Sequence, residues 1–351
     1  MVIRSTLNKA RLSIERYRRR NYSSRALILL YHRVASLEVD PWALCVTARH
    51  FAEQLEVLKK EARPISLKQL VRAHTEGQIP DRAVAVTFDD GYADNLYSAK
   101  PLLEQYNIPA TVFVASGYID HQREFWWDEL ERILLQPGTL PEVLTLSIHG
   151  KNYQWELGEA AAYSEDRHQR YCGWTVDWQE APGLRQSLYL SLHQLLQPLP
   201  EAQQRQVMDT LQAWSGRQLD RRPTHYTLSR EELLTLSRGE LIEVGSHTVT
   251  HPFLAALSKH AQLDEIQQSK TFLEESIGQP VRNFAYPYGI YAKETVKIVR
   301  KAGFDSACTT IVDSVWRGSH RFQLPRVGVE NLDGEAFAGW LSQMFNHEMI
   351  V

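Results

Sequence analysis

From about residue 26 onward, short apolar runs rich in β-formers alternate with longer stretches of helical spacing, and this alternation restricts the fold more than any other feature. Residues 27–31, 84–88, 111–115, 241–244, 283–286 and 306–309 read as buried strands. Residues 93–106, 262–277 and 293–301 read as helices, the second ending at Gly278 and the third just before Gly303, as helices often do. Strand and helix in alternation build a parallel sheet with crossover helices, either open or closed into a barrel. In both forms ligands meet the carboxyl ends of the strands, so residues that directly follow a strand are the first place to look for chemistry.

The alternation stops between about residues 136 and 228. Leu144, Leu146 and Ile148, then Tyr153, Trp155 and Leu157, alternate on either side of His149-Gly150-Lys151-Asn152, which predicts a β-hairpin. Helical spacing follows over 184–196 and 201–214. A stretch of roughly 90 residues is too long for a plain loop. The chain therefore divides into an N-terminal arm (1–25), a first α/β part (26–135), an inserted α+β subdomain (136–228) and a second α/β part (229–351).

Across 351 residues, 39 basic and 42 acidic side chains leave a net charge of −3. No overall positive field draws such a chain to nucleic acid. The arm departs from that balance. Arg4, Lys9, Arg11, Arg16, Arg18, Arg19, Arg20 and Arg25 stand against Glu15 alone, so it carries +7 and the remainder −10. Val2, Ile3, Leu7, Leu12, Ile14 and Tyr17 interleave at loosely helical spacing. Two readings stand: a solvated, partly helical extension, or a helix in peripheral contact with an anionic membrane surface. No run of 18 apolar residues occurs, and the N-terminus lacks an apolar core followed by a small-residue cleavage site, which argues against a membrane span and a secretory signal. Cys45, Cys172 and Cys308 form no C-x-x-C pair, so neither a disulfide framework nor a cysteine zinc site is indicated. The expected compartment is the cytoplasm, with the inner membrane face as the place where the arm would act.

Walker, G-x-G-x-x-G, G-x-S-x-G and H-E-x-x-H motifs are absent. Three other segments close predicted strands. Thr87-Phe88-Asp89-Asp90-Gly91 follows an apolar run, and since side chains alternate along a strand, two adjacent aspartates share a face only if the chain leaves the strand there; Gly91 permits that turn. Carboxylates forced together repel unless a cation or an arginine separates them. The competing reading is a helix cap, by Asp90 or Asp94. Gly245-Ser246-His247-Thr248-Val249-Thr250-His251-Pro252 carries histidines four apart, which face one side if the segment is helical. A chance pair is not rare among 13 histidines, but two histidines plus a carboxylate at strand ends describe a catalytic metal site with an open position. Phe284-Ala285-Tyr286-Pro287-Tyr288-Gly289 imposes a sharp turn that can aim a backbone N–H outward toward an oxyanion, or is an ordinary turn.

In this order, the T-F-D-D-G, S-H-T-x-x-H and P-Y-G segments resemble the polysaccharide deacetylase family (NodB homology, carbohydrate esterase family 4), over roughly residues 27–116 and 229–329. The resemblance implies a distorted (β/α)7-type barrel, a divalent metal, usually zinc, and removal of acetyl groups from N-acetylated sugars. It implies Asp90, His247 and His251 as metal ligands, Asp89 as general base, and the Tyr288 N–H as an oxyanion donor. Two departures stand out. Many members carry an arginine two residues before the motif's proline, where this chain has Ala285, and a catalytic histidine in a late Leu-x-His motif, which does not follow Gly289 here. Tyr31-His32-Arg33-Val34 is similar to the branch that includes poly-N-acetylglucosamine deacetylases, in which an early strand supplies the histidine. That makes His32 the expected acid for the departing amine. Arg326 in Leu324-Pro325-Arg326-Val327 is the candidate to return an arginine to the site, against an equal reading as a surface or salt-bridging residue.

The expected partner is an N-acetylated carbohydrate: a polysaccharide, a glycolipid or a precursor. Trp126, Trp127, Trp155, Trp174 and Trp178 favour a sugar through stacking, although tryptophans are as often core residues. The alternatives are a hydrolase of a non-sugar amide and a catalytically silent carbohydrate-binding protein.

Overall fold

Alternate side chains of the first strand, Ala26–Tyr31 (β1), divide between two environments and set the plan of the molecule. Leu27, Leu29 and Tyr31 pack beneath helices, whereas Ala26 and Ile28 face a narrow interior. The division repeats in Ala83–Phe88 (β2): Val84, Val86 and Phe88 face the helices, Ala83 and Ala85 the interior. Burial on both faces is why these strands read as continuous apolar runs. The computed structural model describes residues 25–346 except 122, 179 and 219, so the arm lies outside the described residues but for Arg25.

Ala110–Val114 (β3), Ile242–Ser246 (β4), Asn283–Ala285 (β5), Ser306–Cys308 (β6) and Val327–Gly328 (β7) complete a parallel sheet in the order β6-β5-β4-β3-β2-β1-β7. The expected runs are strands, displaced by a residue or two at their ends. The sheet curls until its edges nearly meet. Leu324 bridges to Cys308 on β6, and three residues later Val327 pairs with Leu29 on β1. The result is the expected distorted (β/α)7 barrel. Its interior is tight: a Cβ on Gly245 would stand 2.3 Å from the Phe113 ring, so only glycine fits there.

The register between the two central strands runs from Ala26↔Ala83 to Tyr31↔Phe88. His32 and Asp89 therefore leave the sheet at the same level, with the Asp89 N–H donating to the Tyr31 carbonyl at 3.0 Å. Outside the sheet, Ala48–Glu61 starts at Thr47, whose hydroxyl accepts the His50 N–H, and buries Phe51, Leu55 and Leu58. The segment after β2 forms a wide π-turn, Asn95–Ala99, before the α-helix Lys100–Tyr106. Lys259–Ile277 and Lys293–Lys301 are the other two expected helices.

Within the insertion, Val143–Ile148 and Lys151–Glu156 form the expected antiparallel hairpin. Its turn is only two residues, His149 and Gly150, both with positive φ, the geometry that matches strand twist. Helices Leu184–Leu196 and Glu201–Ser215 pack with this hairpin in a second hydrophobic cluster. That cluster also takes Phe125, Trp127 and Leu130 from the helix region Trp126–Leu134, and Tyr92 and Tyr118 from loops at the barrel mouth. The insertion core is thus continuous with the strand ends. Arg185 sits fully buried in it, donating to the carbonyls of Leu134, Gly138, Ala160 and Ala161.

Candidate active site

Strand alternation aims Asp89 inward. Ala83, Ala85 and Thr87 face the barrel interior, and Asp89 continues that set beyond the end of β2. Asp90 joins the same face because the chain turns at Asp90 itself, with φ 74, followed by Gly91 at φ 82. The turn thus begins one residue earlier than Gly91 alone suggests. Neither candidate cap acts as one: Asp94 instead accepts from Arg33 Nε at 2.9 Å and the Val34 N–H at 3.1 Å.

Gly245 and His247 follow the inward register of β4, and the His247 N–H still donates to the Val114 carbonyl at 3.0 Å. The stretch from His247 to His251 is not a helix. Left-handed residues at Thr248 (φ 69) and His251 (φ 55) fold it into a tight loop. The Glu265 carboxylate pins the loop by accepting the N–H groups of Val249 and Thr250 at 2.9 Å each. Strain at Asp90, Thr248, His251 and Tyr288 (φ 58) is concentrated at one mouth of the barrel, where such conformations persist only under strong surrounding constraint.

The result is a buried triad. One ligand atom each from Asp90, His247 and His251 lies within 4.8 Å of the others. Both imidazoles direct Nε2 at the same oxygen, Asp90 Oδ1, at 3.6 Å from His247 and 3.4 Å from His251. His247 Nδ1 lies 2.9 Å from the Ala285 carbonyl, which only an Nδ1–H can satisfy, so Nε2 is the free lone pair. Burial lowers both histidines, His251 well below the usual range with His247 adding to the effect, which keeps the imidazoles neutral. Burial, then Asp89 and Asp128, push the Asp90 carboxyl well above its usual range. Lone pairs converging in a dry site repel unless a cation lies between them. Two imidazole nitrogens and a carboxylate oxygen suit a divalent ion.

Arg326 enters the interior through the segment that bridges β6 and β7. It is fully buried, its Nε donates to the Thr309 carbonyl at 2.9 Å, and its Nη1 and Nη2 grip Asp89 Oδ1 and Oδ2 at 2.7 and 2.6 Å. It is an interior residue rather than a surface one. Burial works to raise Asp89, but Arg326, with His247, overrides it and holds the carboxyl well below the usual carboxylate range. With a methyl group at Ala285, the guanidinium reaches Asp89 from the opposite end of the sheet order.

His32 follows Tyr31 at the end of β1, level with Asp89 at the end of β2, and so stands at the same mouth. Burial pushes it down to about 4, Asp89 pulling it up and Arg326 and His247 pushing it down, so at neutral pH it is uncharged. His320 instead accepts the Phe322 N–H through Nδ1 at 3.3 Å. Tyr288 packs its ring 4.6 Å from that of His251, and Gly289 must be glycine because its Cβ would stand 2.0 Å from Thr310 Oγ1. Asp89, Asp90, His247, His251, Tyr288, His32 and Arg326 are thus gathered from five separated stretches of chain.

Of the five tryptophans that sequence reasoning named, Trp127 forms an aromatic wall beside His251. Trp127 lies 5.0 Å from His251 ring to ring, stacks on Phe125 at 4.4 Å and donates its indole N–H to the Tyr92 hydroxyl at 3.0 Å. Tyr92 in turn donates to Asp128 at 2.8 Å. The signal was present in Phe125-Trp126-Trp127-Asp128, an aromatic run beside an acid. Of the other tryptophans, Trp174 is core and Trp178 is 49% exposed.

Comparison with known proteins bears on the family. A family model for polysaccharide deacetylase matches residues 76–141 and 199–307, on both sides of a gap that holds the hairpin. The chain belongs to the polysaccharide deacetylase family. YxkH of Bacillus subtilis, whose name places it provisionally among polysaccharide deacetylases, is 20% identical over 320 residues, 90% of this chain and 76% of that protein. The poly-β-1,6-N-acetyl-D-glucosamine N-deacetylase of Staphylococcus epidermidis is 32% identical over 109 residues, 27% of this chain and 37% of that enzyme. Among solved structures, IcaB from Ammonifex degensii matches with a TM-score of 0.56 at 19% identity, covering 91% of this chain and 97% of that one. Within the family, the chain resembles the branch of poly-N-acetylglucosamine deacetylases.

Proposed function

We propose that this polysaccharide deacetylase family member is a divalent-metal-dependent hydrolase that removes the acetyl group from an N-acetylated sugar. The observation that carries the reading is the bidentate Arg326–Asp89 pair beside three converging ligand atoms. A divalent ion held by Asp90, His247 and His251 would supply Lewis acidity, polarising the acetamide carbonyl and acidifying a water. Asp89, kept ionised by Arg326, takes the water's proton as general base; its Oδ2 lies 3.8 Å from His247 Nε2, on the histidine side of the pair. The Tyr288 backbone N–H, in a left-handed turn, would donate to the oxyanion that forms on the acetyl carbonyl oxygen. His32, neutral at rest, gains proton affinity as that negative charge develops, takes up one proton from solvent and passes it to the departing nitrogen, while Asp89 releases the water's proton to solvent. The products are acetate and a free amino sugar. Arg326 restores the carboxylate clamp that Ala285 lacks, which weighs against a silent binding protein.

Acetate release from a panel of N-acetylglucosamine oligomers, lipid-linked sugars and nucleotide sugars, before and after chelation and after zinc return, tests the reading. Metal-dependent release from at least one sugar is expected. Release from a non-sugar amide with none from any sugar would overturn it.

A further inference from the structure

The two histidines of the triad are held in different ways. His247 is fixed through its ring, because Nδ1 faces the Ala285 carbonyl at 2.9 Å and leaves Nε2 for an ion. His251 lacks such an anchor. Its Nε2 points at Asp90 Oδ1 at 3.4 Å, but its Nδ1 is buried and meets no hydrogen-bond partner among the described residues. The Tyr288 ring packs 4.6 Å away, yet its hydroxyl is also buried without a partner, so no bond between these two side chains sets the imidazole. Trp127 packs against the ring as well, at 5.0 Å. A metal-ligating imidazole ordinarily takes its direction from a bond to the nitrogen that does not hold the metal. For His251 the direction comes from its backbone instead.

That backbone is the tight loop after β4. Thr248 and His251 both stand at positive φ, which a β-branched residue rarely adopts. The Thr248 hydroxyl accepts the His251 N–H at 3.1 Å and donates to the His247 carbonyl, tying the loop across its base. The loop carbonyls are held by the segment after β3, where the Ser116 N–H donates to Thr248 at 3.0 Å and the Gly117 N–H to Val249 at 2.8 Å. Gly117 comes so close that a Cβ there would stand 2.7 Å from the Val249 carbonyl oxygen. The two amides in the middle of the loop, of Val249 and Thr250, both donate to a single oxygen, Glu265 Oε2, at 2.9 Å each. Glu265 Oε1 accepts the Thr250 hydroxyl at 2.7 Å. Among the described residues the Glu265 carboxylate forms no ion pair and no other hydrogen bond, so its whole bonding capacity is spent on this loop.

We propose that Glu265 is a positioning residue for the metal: by accepting two successive loop amides it fixes the left-handed turn at His251 and so aims an imidazole that no side-chain bond aims. The proposal rests on the metal-dependent reading above and adds that affinity for the ion is set partly from the helix Lys259–Ile277, outside the triad. Because this carboxylate faces amides and a hydroxyl and no cation, its lone pairs matter and its charge does not. A glutamine supplies the same bonds: the amide oxygen accepts both loop N–H groups, and the NH2 donates to the Thr250 hydroxyl, which accepts as readily as it donates. An alanine leaves two adjacent amides without their acceptor, and the strained turn at His251 loses the contact that opposes its relaxation.

The test strips the full chain of metal and measures zinc affinity by competition with a chromophoric chelator in the wild type, Glu265→Ala, Glu265→Gln and Leu273→Ala, with thermal unfolding followed on the same samples. We expect Glu265→Ala to bind zinc about 10–100-fold more weakly, the range for losing an outer partner of a metal ligand. Glu265→Gln should restore the wild-type affinity. Leu273 is fully buried further along the same helix, so Leu273→Ala should lower the unfolding temperature and leave zinc affinity as it was. Should Glu265→Ala not fold, Glu265→Asp takes its place, with a carboxylate one methylene short of the loop, and it too should bind zinc more weakly than the wild type. Wild-type affinity in the variant so used, a Glu265→Gln as weak as that variant, or an equal loss in Leu273→Ala overturns the proposal. A wild type that takes up no zinc fails at the metal reading, before any variant is compared, and takes the proposal with it.

Discussion

Replacing Arg326 by methionine isolates the contact on which the site most depends. The arginine side chain is fully buried and that of Asp89 is 4% exposed, joined by two bonds of 2.7 and 2.6 Å. Removing one partner of such a pair leaves an uncompensated buried charge and costs about 3–5 kcal/mol. Asp90 adds a second carboxyl alongside, itself 3% exposed, so the upper half of that range is expected. Asp89→Asn alone strands the guanidinium and is costly for the same reason. The double variant buries neither charge, so its loss should fall short of the summed single losses by about 2–3 kcal/mol. Urea unfolding followed by tryptophan fluorescence reads this, on metal-free protein so that a bound cation does not stand in for the guanidinium. The shift should lie in the midpoint at constant m. Additive losses, or a single Arg326→Met loss below about 1 kcal/mol, would refute a buried, coupled pair.

His32→Ala should keep metal and fold while slowing acetate release about 10²–10⁴-fold; an unchanged rate assigns the proton to another group or to water. His193, buried in the insertion 4.2 Å ring to ring from Trp42, is pushed down to about 4 by burial. Below about pH 6.5 the unfolded chain takes up a proton that the folded chain refuses until about pH 4, so stability should fall through that window, by at most about 1.4 kcal/mol per pH unit, and then level off. His193→Leu should flatten the slope, and parallel stability curves for the two proteins would contradict this. The arm, residues 1–25, lies outside the described residues but for Arg25, and each basic side chain would be worth about 1 kcal/mol near an anionic bilayer. Sedimentation with anionic vesicles should favour the full chain over one starting at Ser24, and equal binding would dispose of the idea.

Strands buried on both faces were legible as apolar runs, and the residues closing them were legible as chemistry. Val327–Gly328 was not, because two residues carry no period, yet this short strand fixes Arg326. The Arg326–Asp89 contact spans 237 residues, and nothing local in Leu324-Pro325-Arg326-Val327 reports it; only the closing of the barrel brings the two together. His247 and His251 share a face, as their spacing suggested, but through two left-handed residues instead of a helix. Trp127 was named among five tryptophans, but its place against His251 was hidden because an aromatic run beside an acid looks the same in a core as in a cleft. Here it serves both, Trp127 lying in the second hydrophobic cluster and against His251.

The most direct measurement is metal content and acetate release on the same samples of wild type, His247→Ala and Asp89→Asn. If Asp90, His247 and His251 hold the ion while Asp89 moves the proton, His247→Ala loses both metal and activity, whereas Asp89→Asn keeps its metal and loses about 10²–10⁴-fold in rate. Full metal in His247→Ala, or near-normal turnover in Asp89→Asn, would contradict that division of roles.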